Sequence, residues 1–282
     1  MSIWFVPRDA AARSMGANAV ASALEARGET VIRNGSRGML WMEPLVERAD
    51  ERHGPRVGWS NVSAGQIDAG LPDEQSDNFM GAVEEVDYLA KQNRWIYERV
   101  GITDPVDPED YLAHGGLTGL KNALAMSGGD VVQAVTDSGL RGRGGAGFPA
   151  GIKWRTVADQ PAAPHAGESQ KAPAHKYICV NADEGDSGTF ADRMLMEGDP
   201  FCLLEGMTIA AHAVGADRGL VYLRSEYPDA IATLQSAIWI AREQGWLGDN
   251  ILGSDLCFDV EIRVGAGSYL SLIHISEPTR PY

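Results

Sequence analysis

Residues 177–193 read YICVNADEGDSGTFADR, and this stretch decides the predicted fold class. Its first four residues are apolar without interruption, which is typical of a parallel strand buried on both faces. The acidic cluster that follows would lie at the carboxyl end of that strand, where open α/β sheets bind ligands. Carboxylates at this edge would accept hydrogen bonds from hydroxyl and ring N–H groups and would repel phosphate. Taken alone, the same cluster is also compatible with a solvated loop that caps an acidic helix.

A second stretch, residues 138–154, reads SGLRGRGGAGFPAGIKW. Its glycines let the backbone approach an anionic ligand closely, so that successive N–H groups point at phosphate oxygens. Arg143 and Lys153 add positive charge to the loop. The stretch therefore predicts a phosphate-binding loop; a flexible surface loop is the alternative.

Gly142, Gly144 and Gly147 of this loop form a G-x-G-x-x-G, the fingerprint of dinucleotide-binding folds. That fingerprint requires a buried strand directly before it, whereas residues 129–137 carry apolar side chains at helical spacing. No Gly-Lys-Ser or Gly-Lys-Thr closes the glycine run, which excludes a Walker A loop. We therefore predict a phosphate cradle of another kind, which the chain enters from a helix.

Composition limits the classes of partner. The chain has 282 residues, of which 44% are hydrophobic, and a formal net charge of −15. A nucleic-acid or anionic-membrane partner would need a basic face, so neither is expected. No apolar run is long enough for a signal peptide or for a bilayer span. We expect a cytoplasmic protein, without membrane insertion, that is long enough for two domains.

Cysteine and histidine patterns indicate no metal site. Cys179, Cys202 and Cys257 stand singly in apolar contexts, and their spacing fits no cluster or zinc motif. We predict three buried, reduced thiols. The six histidines are dispersed from His53 to His274, and we assign them no metal.

The acidic motif and the glycine loop together resemble the family of NADH-binding flavoprotein subunits. This family is shared by respiratory complex I, NAD-reducing hydrogenases and NAD-dependent formate dehydrogenases, and the resemblance covers residues 117–269. Asp186-Ser187 stands where complex I usually has Glu-Pro. This pair, and the segment Ser36-Arg37-Gly38-Met39-Leu40-Trp41, are most similar to the beta subunit of soluble formate dehydrogenases.

The resemblance implies ligand contacts for nine residues and no catalytic residue. FMN contacts would come from Gly142, Arg143, Gly144, Lys153, Asn181, Asp183 and Glu184. Phe148 would stack on the adenine of NADH, and Asp186 would bind its ribose. The family often has a second aromatic residue at the position of Thr156, so the adenine sandwich is incomplete here.

The function implied is that of a diaphorase subunit of an NAD-dependent formate dehydrogenase, which passes electrons between iron–sulfur centres, FMN and NAD⁺/NADH. The expected partners are a molybdopterin-containing catalytic subunit and a small 2Fe–2S thioredoxin-like subunit. Two alternatives stay open. One is the flavin subunit of complex I or of a NAD-reducing hydrogenase, and the other is an inactive binding or assembly module.

The fold class is α/β, in four segments. Residues 1–100 are predicted to form a thioredoxin-like domain without cluster cysteines, and residues 101–116 a linker. Residues 117–270 would form an incomplete Rossmann-like FMN/NADH-binding domain with an open, mainly parallel sheet. We expect residues 271–282 to be a non-native tail on a C-terminally truncated chain, with the four-cysteine 4Fe–4S region missing.

Hydrophobic periodicity also predicts individual elements. The N-terminal half is expected to contain strands at 3–6 and 30–33, extended segments at 42–46 and 56–59, and helices at 10–27 and 83–100. A mobile insertion is expected at 158–175. Beyond the acidic motif we predict helices at 201–214 and 228–244 and strands at 220–224 and 258–264.

Overall fold

The computed structural model of the chain describes residues 2–143, 146–164, 174–186 and 188–266. Two sheets organise them. The strands are β1 Ile3–Phe5, β2 Thr30–Ile32, β3 Val46–Ala49, β4 Val57–Trp59, β5 Phe79–Ala82, β6 Tyr177–Ala182, β7 Arg218–Leu223 and β8 Asp259–Val264. The helices are α1 Ala10–Ser14, α2 Ala17–Ala26, α3 Ala64–Ala69, α4 Asp87–Ala90, α5 Pro108–Ala113, α6 Thr118–Leu124, α7 Gly128–Asp137, α8 Ala150–Ala158, α9 Ala191–Gly198, α10 Pro200–Val214 and α11 Pro228–Glu243.

The first sheet is mixed, with strand order β2-β1-β3-β4-β5. β1 and β2 are parallel, and the remaining neighbours pair antiparallel. Its core contains Trp4, Leu24, Trp59 and Ile67, all fully buried. Burying side chains of this size stabilises the fold by about 1.5–3 kcal/mol each, so this sheet has a hydrophobic core of its own.

The predicted helix at 10–27 is wrong in one respect, because it is two helices. Gly16 lies between them with φ +100°, a left-handed conformation that interrupts regular helix. The extended segment predicted at 42–46 is also displaced. Residues 40–42 form a 3₁₀ turn, and the strand begins only at Val46.

A buried ion network lies beside this sheet. The Arg37 guanidinium donates to both carboxylate oxygens of Glu47, at 2.8 and 3.0 Å, and Arg56 donates to Glu47 at 3.1 Å. All three residues are at least 95% buried. Because removing one partner of a buried pair leaves a desolvated charge, Arg37 is a structural residue here.

The helix predicted at 83–100 is wrong. Only a 3₁₀ turn at Val83–Glu85 and the four residues of α4 are helical there. Long-range contacts hold the following residues instead. Arg94 donates to the Arg37 carbonyl oxygen at 2.7 Å, and the Tyr97 hydroxyl donates to the carbonyl oxygen of Ala191 at 3.0 Å.

Segment 101–116, the predicted linker, contains α5. Tyr111 on this helix is 2% exposed and belongs to the same core as the second sheet. The Glu205 carboxylate of α10 accepts hydrogen bonds from the Tyr111 hydroxyl and from two backbone N–H groups, at Leu117 (2.8 Å) and Leu120 (2.9 Å). The division of the chain into domains stays a prediction.

The second sheet is parallel throughout its described strands, in agreement with the predicted open, mainly parallel sheet, and its strand order is β6-β7-β8. α9 and α10 lie between β6 and β7 in the chain, and α11 lies between β7 and β8. Val221, Leu223 and Val260 pack with Leu204 and Leu234 of these helices into the larger core. The three strands end in register, because Ala182 pairs with Leu223 and Leu223 with Val264.

Strand β6 is not buried on both faces, contrary to the prediction. It is the edge strand of its sheet, and Cys179 and Asn181 on one face are exposed. The prediction of three buried thiols fails for a related reason. Cys179 and Cys257 are exposed and Cys202 is half-buried, although all three are free thiols.

The predicted insertion at 158–175 is only partly described, since residues 165–173 lie outside the described ranges. Its described ends are joined by two backbone hydrogen bonds between Ala163 and His175. Within the described part of the chain, no helix combines the length and the hydropathy that crossing a membrane requires.

Candidate functional site

The glycine loop is closed at its base by backbone pairing. Arg141 forms a β-bridge with Pro149, and the Gly142 N–H donates to the Phe148 carbonyl oxygen at 2.8 Å. The Arg141 guanidinium donates to the Gly147 carbonyl oxygen at 2.6 Å. Arg141 therefore holds the loop together, which the sequence analysis did not anticipate. Gly144, a predicted FMN contact, lies outside the described residues.

The loop leads from α7 into the N-terminus of α8, as predicted. No side chain caps α8, because Pro149 occupies the N-cap position. Helix N-termini present unpaired N–H groups and the positive end of the helix dipole, which together favour anions. Arg143 and Lys153 are exposed, and neither forms an ion pair with a described residue. The arrangement can bind a phosphate.

Glycine at position 151 sets the position of α8. A Cβ there would lie 2.3 Å from Thr136 Oγ1 and 2.6 Å from Thr136 Cα. Only glycine therefore lets the first turn of α8 pack this closely on α7. Phe148, the predicted adenine-stacking residue, is 49% exposed at the mouth of the loop.

The polar residues of the acidic motif lie at the carboxyl edge of the second sheet, as the apolar run before them predicted. Asn181 is the penultimate residue of β6, and Asp183 follows the strand. The Asp183 N–H donates to Asn181 Oδ1 at 3.0 Å, so these two residues are brought together. Both side chains are exposed, as is that of Asp186. The two carboxylates can accept hydrogen bonds from a ligand at this edge, and the Asn181 amide can accept or donate them.

Glu184 has a different environment from its neighbours. It is 92% buried, and its carboxylate accepts the N–H groups of Asp192 at 3.0 Å and Arg193 at 3.2 Å, at the start of α9. The Tyr227 hydroxyl lies 3.2 Å from the same carboxylate. Burial, and then the Glu184 charge, raise the pKa of Asp192 and of Tyr227. The geometry makes Glu184 a helix cap that faces the fold.

Arg224 is a residue of this edge that the sequence analysis missed. Its guanidinium donates to the backbone oxygen of Glu184 and forms a 3.2 Å ion pair with Glu226. The sequence could have indicated Arg224, because it directly follows β7 and the carboxyl ends of parallel strands lie at the same edge of a sheet.

The structure does not join every predicted site residue. Between described residues, no hydrogen bond or ion pair links residues 138–154 to residues 181–193. A cavity of about 560 Å³ lies beside the acidic motif, but Trp41 and Tyr88 of the N-terminal half line it together with Thr189 and Phe190. None of the eight predicted ligand contacts that fall within the described residues lines this cavity.

Comparisons with known proteins agree with the two motifs. Residues 135–271 match the Complex1_51K family model, described as the Nuo51 FMN-binding domain. The NADP-reducing hydrogenase subunit HndC of Solidesulfovibrio fructosivorans is 47% identical over 180 residues, which are 64% of this chain and 34% of that protein. The F subunit of NADH-quinone oxidoreductase of Escherichia coli is 41% identical over 167 residues, 59% of this chain and 35% of that protein. The matches thus span about a third of these relatives' length.

Among solved structures, a NAD⁺-reducing [NiFe]-hydrogenase in the H₂-reduced state is similar over 94% of this chain and 43% of that chain. The sequence identity is 25% and the TM-score is 0.44.

Proposed function

We propose that this chain is the FMN- and NAD(H)-binding part of an electron-transfer oxidoreductase subunit, because residues 135–271 match the Nuo51 FMN-binding domain model. The observation that carries the proposal is that one family match covers both motifs. Those motifs meet solvent at an uncapped helix N-terminus and at the carboxyl edge of a parallel sheet. Both are places where nucleotides bind.

The residues present fit the FMN phosphate. The backbone of Gly142 and Gly144, the α8 N-terminus, Arg143 and Lys153 would hold it by hydrogen bonds and charge. Asn181 and Asp183 would bind polar parts of the flavin. Glu184 was expected to do the same, but its carboxylate is engaged at α9, so its contribution would be to orient this edge.

When bound, FMN would supply hydride exchange with a nicotinamide and single-electron exchange with other centres, and this chain's residues would orient and tune it. The chain's own share is recognition of NAD(H). The exposed Phe148 ring offers a stacking surface for an adenine. The Asp186 carboxylate would accept from a ribose hydroxyl and would repel a 2′-phosphate. Similarity to the relatives does not fix the choice of nucleotide, because one is named NADP-reducing and others NADH-linked.

More specifically, we propose that this chain is part of the diaphorase subunit of a soluble NAD-dependent formate dehydrogenase. Asp186-Ser187 and segment 36–41 support it by sequence resemblance. The partners would be a molybdopterin-containing subunit and a small 2Fe–2S subunit, with a 4Fe–4S cluster in the rest of the protein. The named relatives keep complex I and a NAD(P)-reducing hydrogenase as alternatives. The third alternative is that the chain is an inactive binding or assembly module.

We further propose that the first sheet is thioredoxin-like. Its β-α-β unit is followed by an antiparallel pair, and the strand order β2-β1-β3-β4 supports the assignment. The absence of cysteine between residues 1 and 100 assigns it no redox chemistry. The cytoplasmic location stays a prediction.

Titration of FMN into the chain, followed by quenching of flavin fluorescence, tests the central proposal. Lys153→Ala should weaken FMN by about tenfold or more, since a charge-assisted hydrogen bond is worth roughly 1.5–3 kcal/mol. Phe148→Ala should leave FMN affinity nearly unchanged and weaken NADH instead. Lys121→Ala, at an exposed lysine of α6, is the matched control. Equal FMN affinity in Lys153→Ala and Lys121→Ala would refute the assignment of the glycine loop.

A further inference from the structure

Two histidines that are far apart in the sequence meet at one carboxylate. His53 lies in the loop between β3 and β4, and Asp110 and His114 lie on and just after α5. The i,i+4 spacing puts the latter two on one helix face. One ligand atom from each of the three residues lies within 4.8 Å of the others.

The Asp110 carboxylate lacks a partner on one side. The residue is 97% buried, and its Oδ1 has no hydrogen-bond partner among the described residues. Its other oxygen, Oδ2, accepts the Asp104 N–H at 2.9 Å and lies 3.4 Å from the Arg52 guanidinium. Leaving a buried carboxylate oxygen unpaired is costly, and a bound cation at Oδ1 would remove that cost.

The spacing of the Asp110 and His53 ligand atoms suits a small divalent ion. Oδ1 lies 3.7 Å from His53 Nδ1. Neighbouring ligand atoms in a tetrahedral zinc site are about 3.3 Å apart, given zinc bonds of roughly 2.0–2.1 Å. Bringing Oδ1 and His53 Nδ1 to this separation needs a few tenths of an ångström. His53 can supply that movement because its side chain is 49% exposed.

The surroundings already resemble the outer shell of a metal site. His114 Nδ1 lies 2.9 Å from the backbone oxygen of Asp110, and because a carbonyl only accepts, Nδ1 carries the proton. The lone pair is then on Nε2, the usual arrangement when a second hydrogen bond orients a metal-binding histidine. The bond from Asp104 to Oδ2 fixes the carboxylate in the same way.

We propose that His53, Asp110 and His114 form a Zn²⁺ site with solvent in the fourth position. Two imidazoles and one carboxylate are ligands that zinc prefers. The ion would join the β3–β4 loop of the first sheet to α5, whose Tyr111 packs in the core of the second sheet. The site is independent of the FMN proposal.

The test is Zn²⁺ titration of the chelator-treated chain against a chromophoric competitor. We expect one ion per chain, with affinity lowered by about tenfold or more in His53→Ala and in His114→Ala. His212→Ala, which removes a histidine outside the cluster, should bind as the wild type does. Zn²⁺ should also raise the Tm of the wild type and not that of His53→Ala.

Because His53 is half-exposed, its removal should leave the fold intact, and this keeps the test decisive. Failure to bind Zn²⁺, or the same affinity in His53→Ala and His212→Ala, would overturn the proposal. The trio would then be a structural contact between the β3–β4 loop and α5.

Discussion

Gly151→Ala should destabilise the chain, although alanine is normally the better helix residue. Replacing glycine by alanine within a helix gains roughly 0.5–1 kcal/mol. At position 151, however, the new Cβ would lie 2.6 Å from Thr136 Cα and 2.8 Å from Thr136 N. Both are backbone atoms of α7 and cannot rotate away. Restoring ordinary contact at 3.4 Å would require α8 to move by about 0.8 Å.

Overpacking of this kind costs about 1–3 kcal/mol, which exceeds the helical gain. We therefore expect a net loss of roughly 1–2 kcal/mol in the free energy of unfolding. Gly206→Ala is the matched control, because Gly206 is an exposed glycine inside α10 with nothing within 4 Å of its Cβ position. This control should gain about 0.5–1 kcal/mol.

Urea unfolding measures the difference in the free energy of unfolding between the two variants, provided that their m-values are equal. The displaced α8 also carries Lys153, so Gly151→Ala should weaken FMN binding while Gly206→Ala leaves it unchanged. A Gly151→Ala chain as stable as Gly206→Ala would refute the close α7–α8 packing. If Gly151→Ala destabilised the chain but left FMN affinity normal, α8 would not be part of the phosphate site.

Two further predictions concern carboxylates. Burial raises the pKa of Glu43 to about 7 from its ordinary value of 4.5, so the folded state holds this proton more tightly than the unfolded state. The stabilisation of the folded state that results is at most about 3 kcal/mol. It is fully present below pH 4.5 and is lost as the pH rises through about 7. Glu43→Gln keeps groups that can pair with the Ser36 hydroxyl and the Leu45 N–H, so urea midpoints between pH 5 and 8 should vary less in this variant; an unchanged profile would contradict the assignment. Asp186→Asn should lower the preference for NADH over NADPH in nucleotide titrations, whereas Asp255→Asn, at another exposed aspartate, should not. An unaltered ratio in Asp186→Asn would remove that residue from the ribose site.

The sequence was sufficient for the three strands of the second sheet and for α10 and α11, because each of them has a local signal, whereas α9 was not predicted. The apolar start of β6 and the helical spacing within α7, α10 and α11 follow from burial against a single core, so pattern and structure agree. The placement of Asn181 and Asp183 at the carboxyl edge followed from the same reasoning. Even so, the prediction that β6 is buried on both faces was wrong, because a strand's own residues do not reveal which of its faces the crossover helices cover.

The sequence failed where distant residues decide the backbone. Residues 83–100 have apolar side chains at helical spacing, but Val83 and Leu89 pack with Met39 and Leu45 in a small separate core. The hydrogen bonds of Arg94 and Tyr97 span 57 and 94 positions of sequence. The meeting of His53 with His114 is equally non-local. Such contacts leave no periodic trace in a single sequence.

The acidic motif also divides in a way that residue type alone does not predict. Asp183 and Asp186 point to solvent, whereas Glu184 caps the first turn of α9. Near the other end of this helix, the Glu197 carboxylate accepts the Ala10 N–H at 2.7 Å, at the start of α1. Helix α9 thus connects the strand-end site to the first sheet through one buried carboxylate at each end. Because a buried carboxylate that loses its donors pays the full cost of desolvation, moving either end of α9 away from its present contacts would be costly.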